Sequence, residues 1–277
     1  MNRMLAWRMI AISCLFGASL LTLTHSATSQ NGDAARAADS DEQRINDLVL
    51  ASRILANEGV LDSFGHVTVR SASNPNRYFM PRAMPPALVT AADIVILNLD
   101  STPVDPKAPR TNGERFIHGE IYKIRSDVQA VVHSHALGII PFSITPSQPL
   151  RPVLHMAGFL PSKVPVFDNR AFSKNDPSLR GKLMINTAVL GAALARTLGK
   201  DSVALIRGHG NAVVGSSLPW AVFRAVYTQL NARVQLDAAR LGGDTIYLNE
   251  DELKLHPVEV FDVQRPWDNF KSRLPKS

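Results

Sequence analysis

Between Asp41 and about Arg240 the spacing of apolar residues switches repeatedly between helical and strand-like, and that intermixing restricts the chain to a layered α/β architecture. Ile45, Leu48, Val49 and Ile54 recur at helix spacing up to Gly59, and Gly65 to Arg70 then alternates as a half-buried strand does. Further strand-like stretches lie at Tyr78–Met80, Ile94–Leu99 and Gln129–His135. Thr111-Asn112-Gly113-Glu114 has the spacing of a capping box and predicts a helix running to about Arg125. Prolines break the stretch from Pro141 to Pro165 into loops and short elements. A helix is expected over Leu183–Leu198, closed by Gly199, and Pro219 suits the first turn of a long helix reaching about Arg240. Between them Ser202–Arg207 reads as a buried strand, Gly208-His209-Gly210 as a turn, and Asn211–Val214 as the returning strand. Hairpin-like pieces beside helical crossovers favour an α/β/α sandwich with a mixed or largely antiparallel sheet.

Residues 1–29 read as a signal peptide. Arg3 and Arg8 form a positive start, Met9–Leu23 is an uncharged apolar run short for a membrane span, and Ala27-Thr28-Ser29 suits a cleavage site. An uncleaved anchor is the alternative. Cleavage implies a periplasmic or secreted protein with no membrane association once the leader is removed. Residues 30–40 are small and polar and read as a disordered spacer, 41–265 as the main folded domain, and 266–277 as a C-terminal tail. The only cysteine, Cys14, lies in the leader, so the mature chain has no disulfide, thiolate ligand or cysteine nucleophile. Without Arg3 and Arg8 the net charge falls from +6 to +4, and it is scattered. No dense basic cluster interleaved with aromatics supports nucleic-acid binding, whereas a mildly positive field suits a small anionic substrate.

The chemistry concentrates in a few residues. In a strand, side chains two apart share a face, so His133 and His135 can grip one divalent ion, although either could equally be a packed or an exposed histidine. His209, delivered between two glycines at the end of a buried strand, can arrive as a third ligand from a neighbouring strand; a plain hairpin turn is the alternative. Three histidines with an open fourth position form a catalytic metal arrangement. Glu114 is either the return half of the capping box with Thr111 or a general acid/base. It shares a helix stripe with Ile117, His118, Ile121 and Arg125, and a carboxylate on a buried stripe requires a partner, a proton or a metal. His66 can line a pocket, and His118 can orient a substrate or simply pack. His155 lies among loops, His25 in the leader, and His256 precedes a proline and is not expected to be a ligand.

From about Asp41 to Gly242 the chain resembles the class II aldolase/adducin family. The resembling segments are Ser63–Arg70, Gly113–Tyr122, Ala130–His135 and Leu205–Gly210, in that order and spacing. The resemblance implies a three-layer α/β/α sandwich with a mixed, mainly antiparallel central sheet. It implies zinc, or alternatively manganese, at His133, His135 and His209, with Glu114 as catalytic acid/base, in a homotetramer with active sites at subunit boundaries. Sugar-phosphate aldolases of this family carry Gly-Asn in the first strand loop and a later serine pair that cradle phosphate. Here Gly65-His66 and Met80-Pro81-Arg82-Ala83 stand instead, so imidazole and guanidinium replace amide and hydroxyl donors, which suits a carboxylate. Glu114–Tyr122 is similar to family decarboxylases acting on hydroxylated aromatic or pyridine dicarboxylates. The expectation is a metal-dependent carbon–carbon lyase, a decarboxylase of a hydroxylated aromatic carboxylate, with His66, Arg82 and His118 facing the substrate. Its rivals are an aldolase acting on a non-phosphorylated sugar or hydroxy-keto acid, and a non-catalytic adducin-like binding protein.

Overall fold

The structure is a computed structural model and describes residues 39–174, 176–255 and 262–275. The signal peptide, Cys14, His25, His256 and nearly all of the spacer lie outside the described residues. The elements in chain order are α1 (Asp41–Asn57), β1 (His66–Arg70), β2 (Arg77–Pro81), β3 (Ile94–Asn98), α2 (Phe116–Ile124), β4 (Ala130–Ser134) and α3 (Ile140–Ile144). They continue with β5 (Val166–Phe167), α4 (Arg170–Ser173), α5 (Ala188–Leu198), β6 (Val203–Ile206), β7 (Gly210–Gly215), α6 (Leu218–Leu241), α7 (Glu250–Leu255) and α8 (Gln264–Ser272).

Seven strands form one sheet in the order β3-β2-β1-β4-β7-β6-β5. Every pairing is antiparallel except β5 with β6, so the sheet is mixed and mainly antiparallel, as expected. Both faces are covered. Val67, Val69, Val132, Leu205 and Val213 point into a core shared with Leu48 and Leu55 of α1 and with Trp220 and Phe223 of α6. Alternate residues of the same strands, Val131, Ala204, Ile206, Ala212 and Val214, meet Ile117, Ile121, Leu190 and Leu194 of α2 and α5 on the other face. The period-two alternation of the strands thus builds the three layers.

Long helix α6 starts where Pro219 places it, with the Ser217 side chain accepting the Trp220 N–H. Among the described residues no helix is long and apolar enough to cross a membrane. Three local readings need correction. The capping box at Thr111 does not form: α2 starts at Phe116, its N-cap Arg115 makes no side-chain cap, and the Glu114 carboxylate is turned elsewhere. The helix expected from Leu183 begins at Ala188, capped by Thr187. Within the expected C-terminal tail, the described residues 266–275 hold most of α8, which buries Trp267 and Phe270 in the α1/α6 core.

Candidate active site

His133 is the fourth residue of β4 and faces the α2 side, in register with His66 of β1 and Ala212 of β7. His135 follows two residues later on the same side, its ring edge-on to that of His133 at 4.9 Å. His209 comes from the β6–β7 turn. Gly208 there adopts φ +64°, a conformation an L side chain rarely takes, and a Cβ on Gly210 would run into the Ser134 carbonyl. The glycines therefore let the turn close directly over the end of β4 and carry His209 onto His135.

Each imidazole is held through Nδ1. His133 donates to the Asn211 carbonyl at 2.9 Å, His209 to the Leu183 carbonyl at 2.9 Å, and His135 to both oxygens of Asp62 at 3.1–3.2 Å. Asp62 is itself fixed by the Phe64 and Gly65 N–H groups. Burial would raise its pKa, but those bonds and His135 outweigh it and keep the carboxyl below its ordinary value. With Nδ1 protonated, Nε2 of every ring presents a lone pair. These three atoms converge: His135 Nε2 lies 3.1 Å from His133 Nε2 and 3.0 Å from His209 Nε2. Lone pairs at that separation repel unless a cation or a shared proton lies among them. A tetrahedral ion with bonds of about 2.1 Å separates its ligands by about 3.4 Å, close to what is present. The donor set therefore fits a divalent metal.

Glu114 Oε2 lies 3.4 Å from Nε2 of both His133 and His209, while Oε1 accepts the Ile185 N–H at 2.7 Å. The four ligand atoms of Glu114, His133, His135 and His209 all fall within 4.8 Å of one another. Burial alone would raise the Glu114 pKa, but His133 and His209, where either ring also carries a proton on Nε2, prevail and hold it well below the ordinary carboxylate range. Burial would likewise lower His209, yet Glu114 raises it above its usual value. His135 is lowered, by burial first and then by the adjacent His133.

A cleft of about 500 Å³ opens over this cluster, lined by Phe64, Asn112, Glu114, His135, Met184 and His209. An adjoining cleft of about 480 Å³ shares Phe64, Asn112 and Met184 and adds His66, Arg82 and Arg110. A further cleft, about 580 Å³ near Trp220, Tyr227 and Arg265, contains none of the four clustered residues. Arg82 does reach the second cleft, but its Nε is paired with Asp93 at 2.7 Å. Arg110, exposed in the same wall, has no ion pair among the described residues and is the cation the sequence does not single out. His118 is fully buried, with Nε2 against His66 and Nδ1 against Thr68, and it lines neither of the two clefts at the cluster. His155 lies in a short 3-10 turn at His155–Ala157 and belongs to none of these groups. Asp62, Leu183 and Ile185 complete the site through contacts that no motif announces.

Comparison with known proteins gives the family and the fold. The family model described as the Class II Aldolase and Adducin N-terminal domain matches residues 46–236. A decarboxylase of Talaromyces stipitatus, tropJ, is 40% identical over 244 residues, covering 80% of this chain and 91% of its own. A 3,4-dihydroxyphthalate decarboxylase of Arthrobacter keyseri is 26% identical over 242 residues, covering 82% and 92%. Among solved structures, an L-fuculose 1-phosphate aldolase from Glaciozyma antarctica PI12 superposes with TM-score 0.65 at 25% identity, over 84% of this chain and 88% of that one. An aldolase II superfamily protein from Pseudomonas syringae shares the fold with TM-score 0.70 at 19% identity, over 88% and 96%.

Proposed function

The chain belongs to the class II aldolase and adducin family and is a lyase of its decarboxylase-like branch, and from that premise we propose that it removes carbon dioxide from a hydroxylated aromatic carboxylate with a divalent metal, zinc or alternatively manganese. The observation that carries this reading is the convergence of three Nε2 lone pairs on the Glu114 carboxylate at the floor of a cleft whose extension holds Arg82 and Arg110. A divalent ion held by His133, His135 and His209 would supply Lewis-acid stabilisation of the charge left when the carbon–carbon bond breaks, worth several kcal/mol.

The chain's own groups do the rest. Oε1 of Glu114 is pinned by the Ile185 N–H, which leaves Oε2 as the oxygen that moves a proton. Between His133 and His209 that oxygen is ionised and so starts as the proton acceptor. It takes the proton of the substrate hydroxyl and returns it to the ring carbon that loses carbon dioxide, and solvent reprotonates the hydroxyl. At the far end of the cleft the guanidinium of Arg110, with the free nitrogens of Arg82, holds a further carboxylate. Phe64 and Met184 supply the apolar walls for the ring.

Large apolar side chains stay exposed at the cleft, Phe64, Leu183 and Met184 in its lining and Ile144 beside Gly208. They support a homotetramer whose neighbouring subunit closes the cleft. Removal of residues 1–29 and work outside the cytoplasm belong to the same proposal, and N-terminal sequencing of the mature protein tests them. The reaction is tested by loading the protein with zinc or manganese and measuring carbon dioxide released from 3,4-dihydroxyphthalate and dihydroxybenzoates. Release dependent on metal and on Glu114 is expected. No release across the panel overturns the assignment, and aldehyde release from hydroxy-keto acids replaces it with an aldolase.

A further inference from the structure

We propose that His66 is a directed hydrogen-bond donor to an anionic oxygen of the substrate, and that His118, Thr68 and Tyr122 are positioning residues that keep the proton on its Nε2. The proposal rests on the reading of the cleft given above and adds to it the way one wall recognises its ligand.

His66 opens β1 and lines the same cleft as Arg82 and Arg110. Behind it runs a continuous buried string. Nδ1 of His66 lies 2.7 Å from Nε2 of His118, Nδ1 of His118 lies 2.8 Å from the Thr68 hydroxyl, and that hydroxyl lies 2.9 Å from the Tyr122 phenol. Thr68 and His118 are wholly inaccessible to solvent and Tyr122 almost so. Nε2 of His66 is buried without a well-formed hydrogen bond; the Asn112 side chain beside this ring favours a proton on it, but that amide is already engaged by the Glu114 N–H and the Phe64 carbonyl. Neither ring has a carboxylate in hydrogen-bond contact, so each neutral ring donates with one nitrogen and accepts with the other.

Such a string can point only two ways. Pointed inward, His66 donates to His118, His118 to Thr68 and Thr68 to Tyr122. The phenol must then donate to the Gln129 carbonyl at 3.5 Å, a long contact to an oxygen that already accepts the Arg70 N–H at 2.8 Å. The inward arrangement therefore leaves the phenol proton poorly placed and a bare lone pair buried on His66. Pointed outward, Tyr122 donates to Thr68 at 2.9 Å, Thr68 to Nδ1 of His118, and Nε2–H of His118 to Nδ1 of His66. Every donor in the string then has a short partner except the last, the buried Nε2–H of His66, a residue that lines the cleft. A buried donor without an acceptor is unfavourable, and a carboxylate or phenolate oxygen relieves it. Beside two guanidinium groups, a neutral N–H of fixed direction favours a ligand oxygen that only accepts, and it disfavours ligand groups that must donate there.

Neutron diffraction from perdeuterated crystals of the metal-free protein reads the direction without any turnover. Deuterium on Nε2 of both His66 and His118, with Nδ1 of each bare, is expected; deuterium on Nδ1 of His66 overturns the proposal. Calorimetric titration of the metal-free protein with phthalate tests the consequence. Thr68→Val, which removes the hydroxyl that feeds His118, is expected to weaken phthalate binding about tenfold, and Thr68→Ser to restore it to within about twofold. Unchanged binding in Thr68→Val, no restoration in Thr68→Ser, or no binding by the wild-type protein overturns it. Neither experiment measures carbon dioxide, so a failed decarboxylase assignment and a failed donor assignment register separately.

Discussion

Asp62→Asn isolates the one clustered imidazole whose Nδ1 partner is charged. Oδ1 of Asp62 accepts the Phe64 and Gly65 N–H groups at 2.9 and 2.8 Å, and both oxygens lie 3.1–3.2 Å from Nδ1 of His135. In the amide the two backbone bonds keep the oxygen where Oδ1 sits, so the NH2 group takes the place of Oδ2. A donor then faces the Nδ1–H donor. His135 must either give up that contact or move its proton to Nε2, the atom that meets His133 and His209. A hydrogen bond to a charged group contributes about 1.5–3 kcal/mol. The Asp62 side chain is 48% exposed, so the lower end applies, about 1.5–2 kcal/mol, or roughly 10- to 30-fold in metal dissociation constant. Competition for zinc against a chromophoric chelator measures this, with the thermal transition of the metal-free protein as the control for folding. Zinc affinity within about twofold of wild type, with folding intact, would refute the argument that Asp62 holds the ligand tautomer.

Glu114→Gln keeps an acceptor for the Ile185 N–H but removes the base; kcat is expected to fall about 100- to 10,000-fold with bound metal retained, and a loss under threefold would remove Glu114 from the chemistry. Gly210→Ala places a Cβ against the Ser134 carbonyl, so the urea midpoint should fall by the equivalent of about 3 kcal/mol or more, and an unchanged midpoint contradicts the packing described. Burial, then the neighbouring imidazoles, holds His66 down at about 3 and His118 well below its ordinary value. Below about pH 6.5 the unfolded chain therefore binds more protons than the folded one. Stability present above that pH is lost as the pH falls, by up to about 1.4 kcal/mol per pH unit for each histidine; urea midpoints of the metal-free protein between pH 7 and 5 that stay level would contradict it.

The parts of the site legible in the sequence are those written in local geometry. Strand alternation alone puts His133 and His135 on one side, and paired glycines mark the turn that carries His209. The layering is legible for the same reason, since alternate residues of one strand feed two cores. What stays hidden depends on contacts far apart in the chain. Asp62 meets His135 across 73 positions, and Leu183 meets His209 across 26. The capping-box reading of Thr111 fails because a local rule competes with a tertiary one: the carboxylate that could close the box instead meets Ile185 and the imidazoles. The same contact holds Ile185 ahead of α5, which therefore starts later than its apolar pattern suggests. His118 lies on the buried stripe as read, but helix periodicity says nothing of the β1 groups that consume both its nitrogens.

The pairing of β4 with β7 sets Val132 opposite Val213, His133 opposite Ala212 and Ser134 opposite Asn211. A slip of one position along this seam would turn every following side chain to the opposite face. The imidazole of His133 would then point into the aliphatic layer beneath α6, and the Asn211 carbonyl would no longer hold it. A molecule with that error cannot assemble a three-nitrogen site. Uptake of a divalent ion by a refolding chain would thus be a proofreading signal, silent until two segments nearly eighty positions apart have zipped in the right phase.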